Sequence, residues 1–165
     1  MAVVTVSDTR TEATDEGGRL IRELATAAGF EVASQVILRD EPADVAAHVR
    51  RLAAGEVAGG LVQAILLTGG TGLARRDTTV EALAASFEKT LDGFGELFRM
   101  LSFQEMGAAA MLSRATAGTV GSAVVFLMPG SPAAVRLAME RLILPELAHI
   151  TGVMNPTTRS GGQGR

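Results

Sequence analysis

The sequence predicts an α/β fold: one domain on a mostly parallel sheet, covered by helices on both faces, with a C-terminal β-hairpin strand. Three observations predict it. Over the first half, short apolar runs alternate with amphipathic ones in the order β-α-β-α-β-α, which implies parallel strands and right-handed crossovers. The chain is 165 residues long, enough to bury both faces of such a sheet. A turn of small residues, Thr68-Gly69-Gly70-Thr71-Gly72, separates an apolar run from a helix start, the strand–turn–helix order of a ligand-binding crossover.

The elements follow in order. Ala2 to Val6 reads as a strand running into the polar turn Ser7-Asp8-Thr9-Arg10-Thr11. Thr14 or Asp15 caps a helix with Leu20, Ile21, Leu24 and Ala28 on one face, closed by Gly29. Glu31 to Leu38 alternates apolar and polar positions, as an edge strand does. Pro42 suits the first position of a helix carrying Val45, Val49 and Leu52. Val62 to Leu67 is the third strand, and Thr78 and Glu81 have capping-box spacing for the helix after the glycine turn. Gly93 to Leu101 is expected as a short helix concentrating Phe and Met. Ala108 to Ala117 reads as a short strand, Gly118 to Gly121 as a hairpin and Ala123 to Met128 as the return strand. Pro132 opens a helix with Val135, Leu137, Ala138 and Leu142, and Pro145 to Thr151 forms the last. The domain is expected over 1–153, with a flexible Gly-rich tail at 154–165.

Composition narrows the function. The net charge is −3, with six Phe and no Trp or Tyr, so there is little to hold a phosphate backbone or stack bases. No nucleic-acid partner is expected. Cysteine is absent, which removes disulfides and thiolate chemistry and fits a reducing compartment. No apolar run reaches the length of a membrane span and none reads as a signal peptide, so a cytoplasmic protein is expected. His48 and His149 read as ordinary surface or helix-end residues.

The glycine turn carries the functional signal. Three glycines in four positions turn backbone N–H groups toward one point, and the helix start behind them adds partial positive charge. The turn therefore suits an anion, above all a phosphate. It is not a Walker A loop, since no Lys-Ser or Lys-Thr follows, and Arg75 stands where a dinucleotide fingerprint needs its third glycine. Two further turns, Ser7-Asp8 and Pro129-Gly130-Ser131, are expected at the same sheet edge. Asp40 and Asp77 each fall between a strand and a helix, and two readings stand for each. Either they are N-caps, or they hold Mg²⁺ against phosphate oxygens. Arg75, Arg76 and Arg114 offer positive charge nearby, and the cluster Phe94, Phe98, Met100, Leu101 and Phe103 reads as core or subunit interface.

Taken together, Ser7-Asp8, Asp15-x-x-Gly18, the glycine turn, Arg76-Asp77-x-Thr79, Gly93-Phe94-Gly95-Glu96, Met111 to Ala115 and Leu127 to Ser131 resemble the MoaB/MogA family of molybdenum-cofactor biosynthesis proteins. The likeness runs from about residue 3 to residue 150, and Phe94 to Phe103 looks more like the MoaB branch. It implies a three-layer α/β/α fold, assembly into homotrimers or homohexamers, and delivery to a molybdenum-insertion protein. It also implies adenylylation of molybdopterin by Mg·ATP, or its non-catalytic carriage. On that template Ser7, Asp8, Thr68, Gly69, Gly70, Thr71, Gly72, Ser113, Arg114, Pro129, Gly130 and Ser131 bind molybdopterin and its phosphate. Asp40 and Asp77 match the essential acids and hold Mg²⁺. Two departures stand out: Val80 replaces the Pro of the family motif, and the leader that many members carry is expected to be missing.

Overall fold

The computed structural model describes residues 1–56, 60–75 and 77–156. The elements run β1 (Ala2–Val6), α1 (Glu16–Ala27), β2 (Ser34–Leu38), α2 (Pro42–Ala53), β3 (Ala64–Gly69) and α3 (Thr79–Ala84). They continue as β4 (Lys89–Thr90), α4 (Asp92–Met106), β5 (Thr116–Val120), β6 (Ala123–Met128), α5 (Pro132–Ala138) and α6 (Leu144–Met154). The six-stranded sheet has the order β2-β1-β3-β6-β5-β4. β2, β1, β3 and β6 are mutually parallel, while β5 runs antiparallel to β6, and β4 antiparallel to β5.

The alternation of strand side chains builds two cores. On one face Val3, Leu66, Val124, Phe126 and Met128 pack under α1, α4, α5 and α6. On the other, Val4, Ile65, Leu67, Val125 and Leu127 pack under α2 and α3. Leu66 and Leu67 are each fully buried on opposite faces, which is why β3 is an unbroken apolar run. Each such leucine contributes about 1.5–3 kcal/mol by leaving water. Phe126 meets the edge of Phe94 at 5.1 Å between ring centres, and Phe94 tilts against Phe98 at 6.3 Å.

Several expectations need correction. Ala108–Leu112 lies within a 3₁₀ turn, Gly107–Leu112, and not a strand; its Ala, Met and Leu residues favour helical backbone. The hairpin turns at Gly121 (φ +55°), with Val120 opposite Ala123, so Gly118 lies inside β5. A Cβ at Gly118 would overlap the Phe87 ring, so this glycine serves close packing and not a turn. α4 is fifteen residues long and stops at Gly107 (φ +66°). It splits the aromatic cluster: Phe94 and Phe98 enter the core, whereas Met100 and Phe103 point outward, 52% and 61% exposed. Between α5 and α6 the helix widens into one π turn, Met139–Ile143. Pro145 follows it, and its ring and missing N–H disfavour a regular turn at that point.

His48 is also not a plain surface residue. It is half-buried on α2, and its Nε2 has no hydrogen-bond partner among the described residues. Burial, reinforced by Arg51, lowers its pKa. His149 is exposed and meets Glu146 at 3.2 Å. The expected tail beyond Pro156 and Arg76 lie outside the described residues. No helix among the described residues is long and apolar enough to cross a membrane.

Candidate functional site

The parallel strands end along one edge of the sheet. The chain leaves β1 toward α1 on one face, and β3 toward α3 on the other. A crevice opens between two such neighbouring strands, the switch point at which open α/β sheets take ligands. Three turns converge there: Ser7 onward after β1, the glycine turn after β3, and Pro129-Gly130-Ser131 after β6.

The glycine turn is shaped by backbone that only glycine supplies cheaply. Gly69 and Gly70 have φ of +96° and +65°. A Cβ on Gly69 would overlap the Val6 carbonyl oxygen of β1, and one on Gly70 would come within 2.6 Å of Thr79 Oγ1. At Gly72 a Cβ would strike the Asp77 carboxylate, so the loop folds tightly onto its own acid. Thr68 is buried at the strand end, and its hydroxyl donates to the Pro129 carbonyl at 3.2 Å, tying the β3 turn to the β6 turn.

Two clefts result, sharing Ser131 on their common rim. One, of about 280 Å³, has Thr71, Gly72, Ser113, Pro129 and Ser131 as its polar lip. Its apolar wall comes from Phe98, Met106, Ala110, Leu112 and Leu137. The other, of about 370 Å³, is lined by Thr5, Ser7, Thr68, Gly69, Gly130 and Ser131, with Arg10, Asp15 and Gly17. Ser7 Oγ accepts from Thr9 N and Arg10 N, and Ser131 Oγ accepts from Ala134 N as the α5 cap. Both hydroxyls therefore keep their protons for a ligand acceptor. Asp15 caps α1 by accepting from Gly18 N at 2.9 Å, and it takes a second bond from Thr5 Oγ1 at 2.8 Å.

The two acids lie beside these clefts without lining either. Neither caps a helix. Residues Glu41 and Thr78 occupy the N-cap positions of α2 and α3, and neither makes a side-chain cap bond, so the expected capping box is not formed. Instead Asp77 Oδ2 accepts from Ala74 N at 3.0 Å, closing the loop that begins at Gly72. Asp40 Oδ1 accepts from the buried Thr79 hydroxyl at 2.7 Å. Asp8, expected at the phosphate, accepts from Asp40 N at 3.3 Å and lies 3.6 Å from Arg39 Nε. Among the described residues no three or more of His, Cys, Asp and Glu gather as a metal site.

Arg114, expected at the phosphate, has its guanidinium engaged by the protein. It donates to the carbonyls of Thr71 and Asp77 and pairs with Glu81, the would-be capping-box acid. Residues that sequence reasoning missed include the apolar wall around Phe98 and Leu137, the cation Arg10, and Thr79. The Phe94–Phe98 spacing of four marked that wall as a helix face, and Arg10 lies within the polar turn that begins at Ser7. Thr79 stands in the Arg76-Asp77-x-Thr79 motif, but nothing local marked its bond to Asp40.

Residues 2–149 match the family described as a probable molybdopterin binding domain. The chain belongs to the MoaB/MogA family of molybdenum-cofactor biosynthesis proteins. It is 51% identical over 150 residues to molybdenum cofactor biosynthesis protein B of Bacillus cereus, covering 90% of this chain and 86% of that one. Against the Bacillus subtilis protein of the same name it is 50% identical over 149 residues, covering 90% and 85%. Among solved structures, the tungsten cofactor synthesizing protein MoaB from Pyrococcus furiosus superposes with a TM-score of 0.79 at 36% identity, over 93% of this chain and 94% of that one. A crystal structure of a molybdenum cofactor biosynthesis protein B gives 0.85 at 49% identity, over 93% of each chain. The six-stranded, two-core architecture described above thus has the fold of these solved MoaB structures.

Proposed function

We propose that this protein acts in molybdenum-cofactor biosynthesis by binding molybdopterin and adenylylating its terminal phosphate with Mg·ATP. The observation that carries the reading is the convergence of Thr71, Gly72, Ser113, Pro129 and Ser131 on one cleft with an apolar wall. A flat heteroaromatic ring suits the Phe98 and Leu137 side, and an anionic end suits the hydroxyls and backbone N–H groups of the turns. In the reaction, a phosphate oxygen of molybdopterin forms a bond to the α-phosphorus of ATP. The bond from that phosphorus to the bridging oxygen breaks, and pyrophosphate leaves.

The protein's share is positioning and charge. Ser7 and Ser131 have hydroxyl protons to donate to phosphate oxygens. Asp40 and Asp77 would hold Mg²⁺. The donor set fits an ion that takes its remaining ligands from phosphate and water, since among the described residues each acid has one carboxylate oxygen outside its bond to Ala74 or Thr79. When bound, the ion would offset the charge that otherwise sets two carboxylates against a triphosphate. The outward row of Leu97, Met100, Phe103 and Met106 on α4 suits assembly into a homotrimer, with doubling to a hexamer set by concentration.

A second reading, a carrier that binds molybdopterin without reaction, draws on one observation: neither acid lines a cleft. Incubation with molybdopterin and Mg·ATP, followed by mass detection, separates the two. Adenylyl-molybdopterin supports the transferase; molybdopterin recovered bound and unmodified supports the carrier.

A further inference from the structure

We propose that Arg114, braced by Glu81, is a positioning residue that locks the glycine turn and Asp77, and not a ligand of substrate phosphate. A guanidinium has five N–H donors in one plane. Here Nε donates to the Thr71 carbonyl at 3.2 Å, one terminal nitrogen donates to the Asp77 carbonyl, and the other pairs with the Glu81 carboxylate. Thr71 and Asp77 bracket the loop, so a single side chain closes its neck. Inside that neck, among the described residues, the loop is held by Ala74 N to Asp77 Oδ2, at 3.0 Å, and Asp77 N to the Ala74 carbonyl, at 2.9 Å.

The geometry favours a brace over a substrate contact. Arg114 enters from the segment before β5, next to cleft-lining Ser113, so it ties one lip of the apolar cleft to the other. Its side chain is only 22% exposed, while that of Glu81 is 60% exposed. Turning the guanidinium toward a ligand would leave two loop carbonyls without this donor. A lysine, being a point charge with no fork, cannot replace all three contacts. Glu81 belongs to α3, so the brace also links the loop to the helix whose Thr79 holds Asp40.

The test is hydrogen–deuterium exchange of the amides from residue 70 to 78 in the unliganded full chain, which reads the brace directly. Arg114→Gln is expected to speed that exchange ~10-fold, and Arg114→Lys nearly as much, because the loop opens locally more often. Glu81→Gln should act in the same direction by a few-fold, and the double variant should be no faster than Arg114→Gln alone. Loop exchange unchanged in Arg114→Gln, with weakened molybdopterin binding, overturns the proposal in favour of a ligand contact. If Arg114→Gln does not fold, Glu81→Gln decides: faster exchange supports the brace and unchanged exchange overturns it. Only the companion activity readout rests on the adenylylation reading: kcat for transfer should fall in Arg114→Gln while KM for molybdopterin stays within ~3-fold. A wild-type protein that makes no adenylyl product would sink that reading and leave the exchange result to judge the brace.

Discussion

The turn after β2 and the turn after β3 each carry one acid, Asp40 and Asp77, toward the same helix, yet they are built in opposite ways. The β3 turn relies on its own backbone: two positive-φ glycines, an internal bond from Ala74 N to Asp77, and Arg114 across its neck. The β2 turn has no positive φ, and its acid is fixed from outside by the buried Thr79 hydroxyl. One acid is therefore sensitive to loop geometry and the other to the packing of α3. The difference predicts which substitutions disturb which acid.

The largest expected effect lies in the backbone of the β3 turn. Gly69→Ala combines a strained φ with overlap on the Val6 carbonyl, and should cost roughly 3 kcal/mol or more. In the β2 turn Glu41→Ala removes no cap bond and should stay within about 0.5 kcal/mol. Thermal midpoints of the two variants measured together check the contrast; comparable losses would break it. Next comes Asp40→Asn, which keeps the acceptor for Thr79 but removes charge. Adenylyl transfer should fall by ~10- to 100-fold with molybdopterin binding retained, in rapid-quench assays with saturating substrate.

A smaller change tests the external hold on Asp40. Thr79→Val deletes the donor at nearly constant volume and should lower transfer by ~10-fold, while Thr79→Ser should restore most of it because the hydroxyl returns. If serine fails to rescue, Thr79 matters for packing and not for its bond. The smallest effect is outside the site. His48 has its pKa lowered by burial, so the unfolded chain binds the proton more readily. Stability should therefore rise with pH between the lowered folded value and the unfolded value of 6.5, and fall as pH drops through that window. Urea unfolding at pH 7 and pH 5.5 should show that decline, and His48→Gln should flatten it.

Much of this was legible in the chain, for identifiable reasons. Pro42 and the run Ala123–Met128 marked their elements to the residue, because a proline at a helix start and an unbroken apolar strand are local signals. The turn residues of both clefts were legible for the same reason: small, polar and placed at strand ends. What was not legible depends on partners distant in sequence. Thr79 and Asp40 are 39 residues apart, and Arg114 and Asp77 are 37 apart, so neither bond leaves a local pattern. Gly118 misled because a glycine packed against a ring reads like a glycine in a turn. The capping-box spacing of Thr78 and Glu81 misled likewise, since Arg114 takes the glutamate.

The central claim is that Asp77 works through its charge and not merely as the clasp of its loop. Asparagine retains an oxygen for Ala74 N, so Asp77→Asn separates the two roles. The decisive measurement is single-turnover formation of adenylyl-molybdopterin across a Mg²⁺ titration, with wild type and Asp77→Asn side by side. Molybdopterin binding should be equal in both, while transfer in the variant should fall by ~100-fold or more and lose its normal Mg²⁺ response. Unchanged turnover with unchanged Mg²⁺ dependence would contradict the account and leave Asp77 as a loop clasp alone.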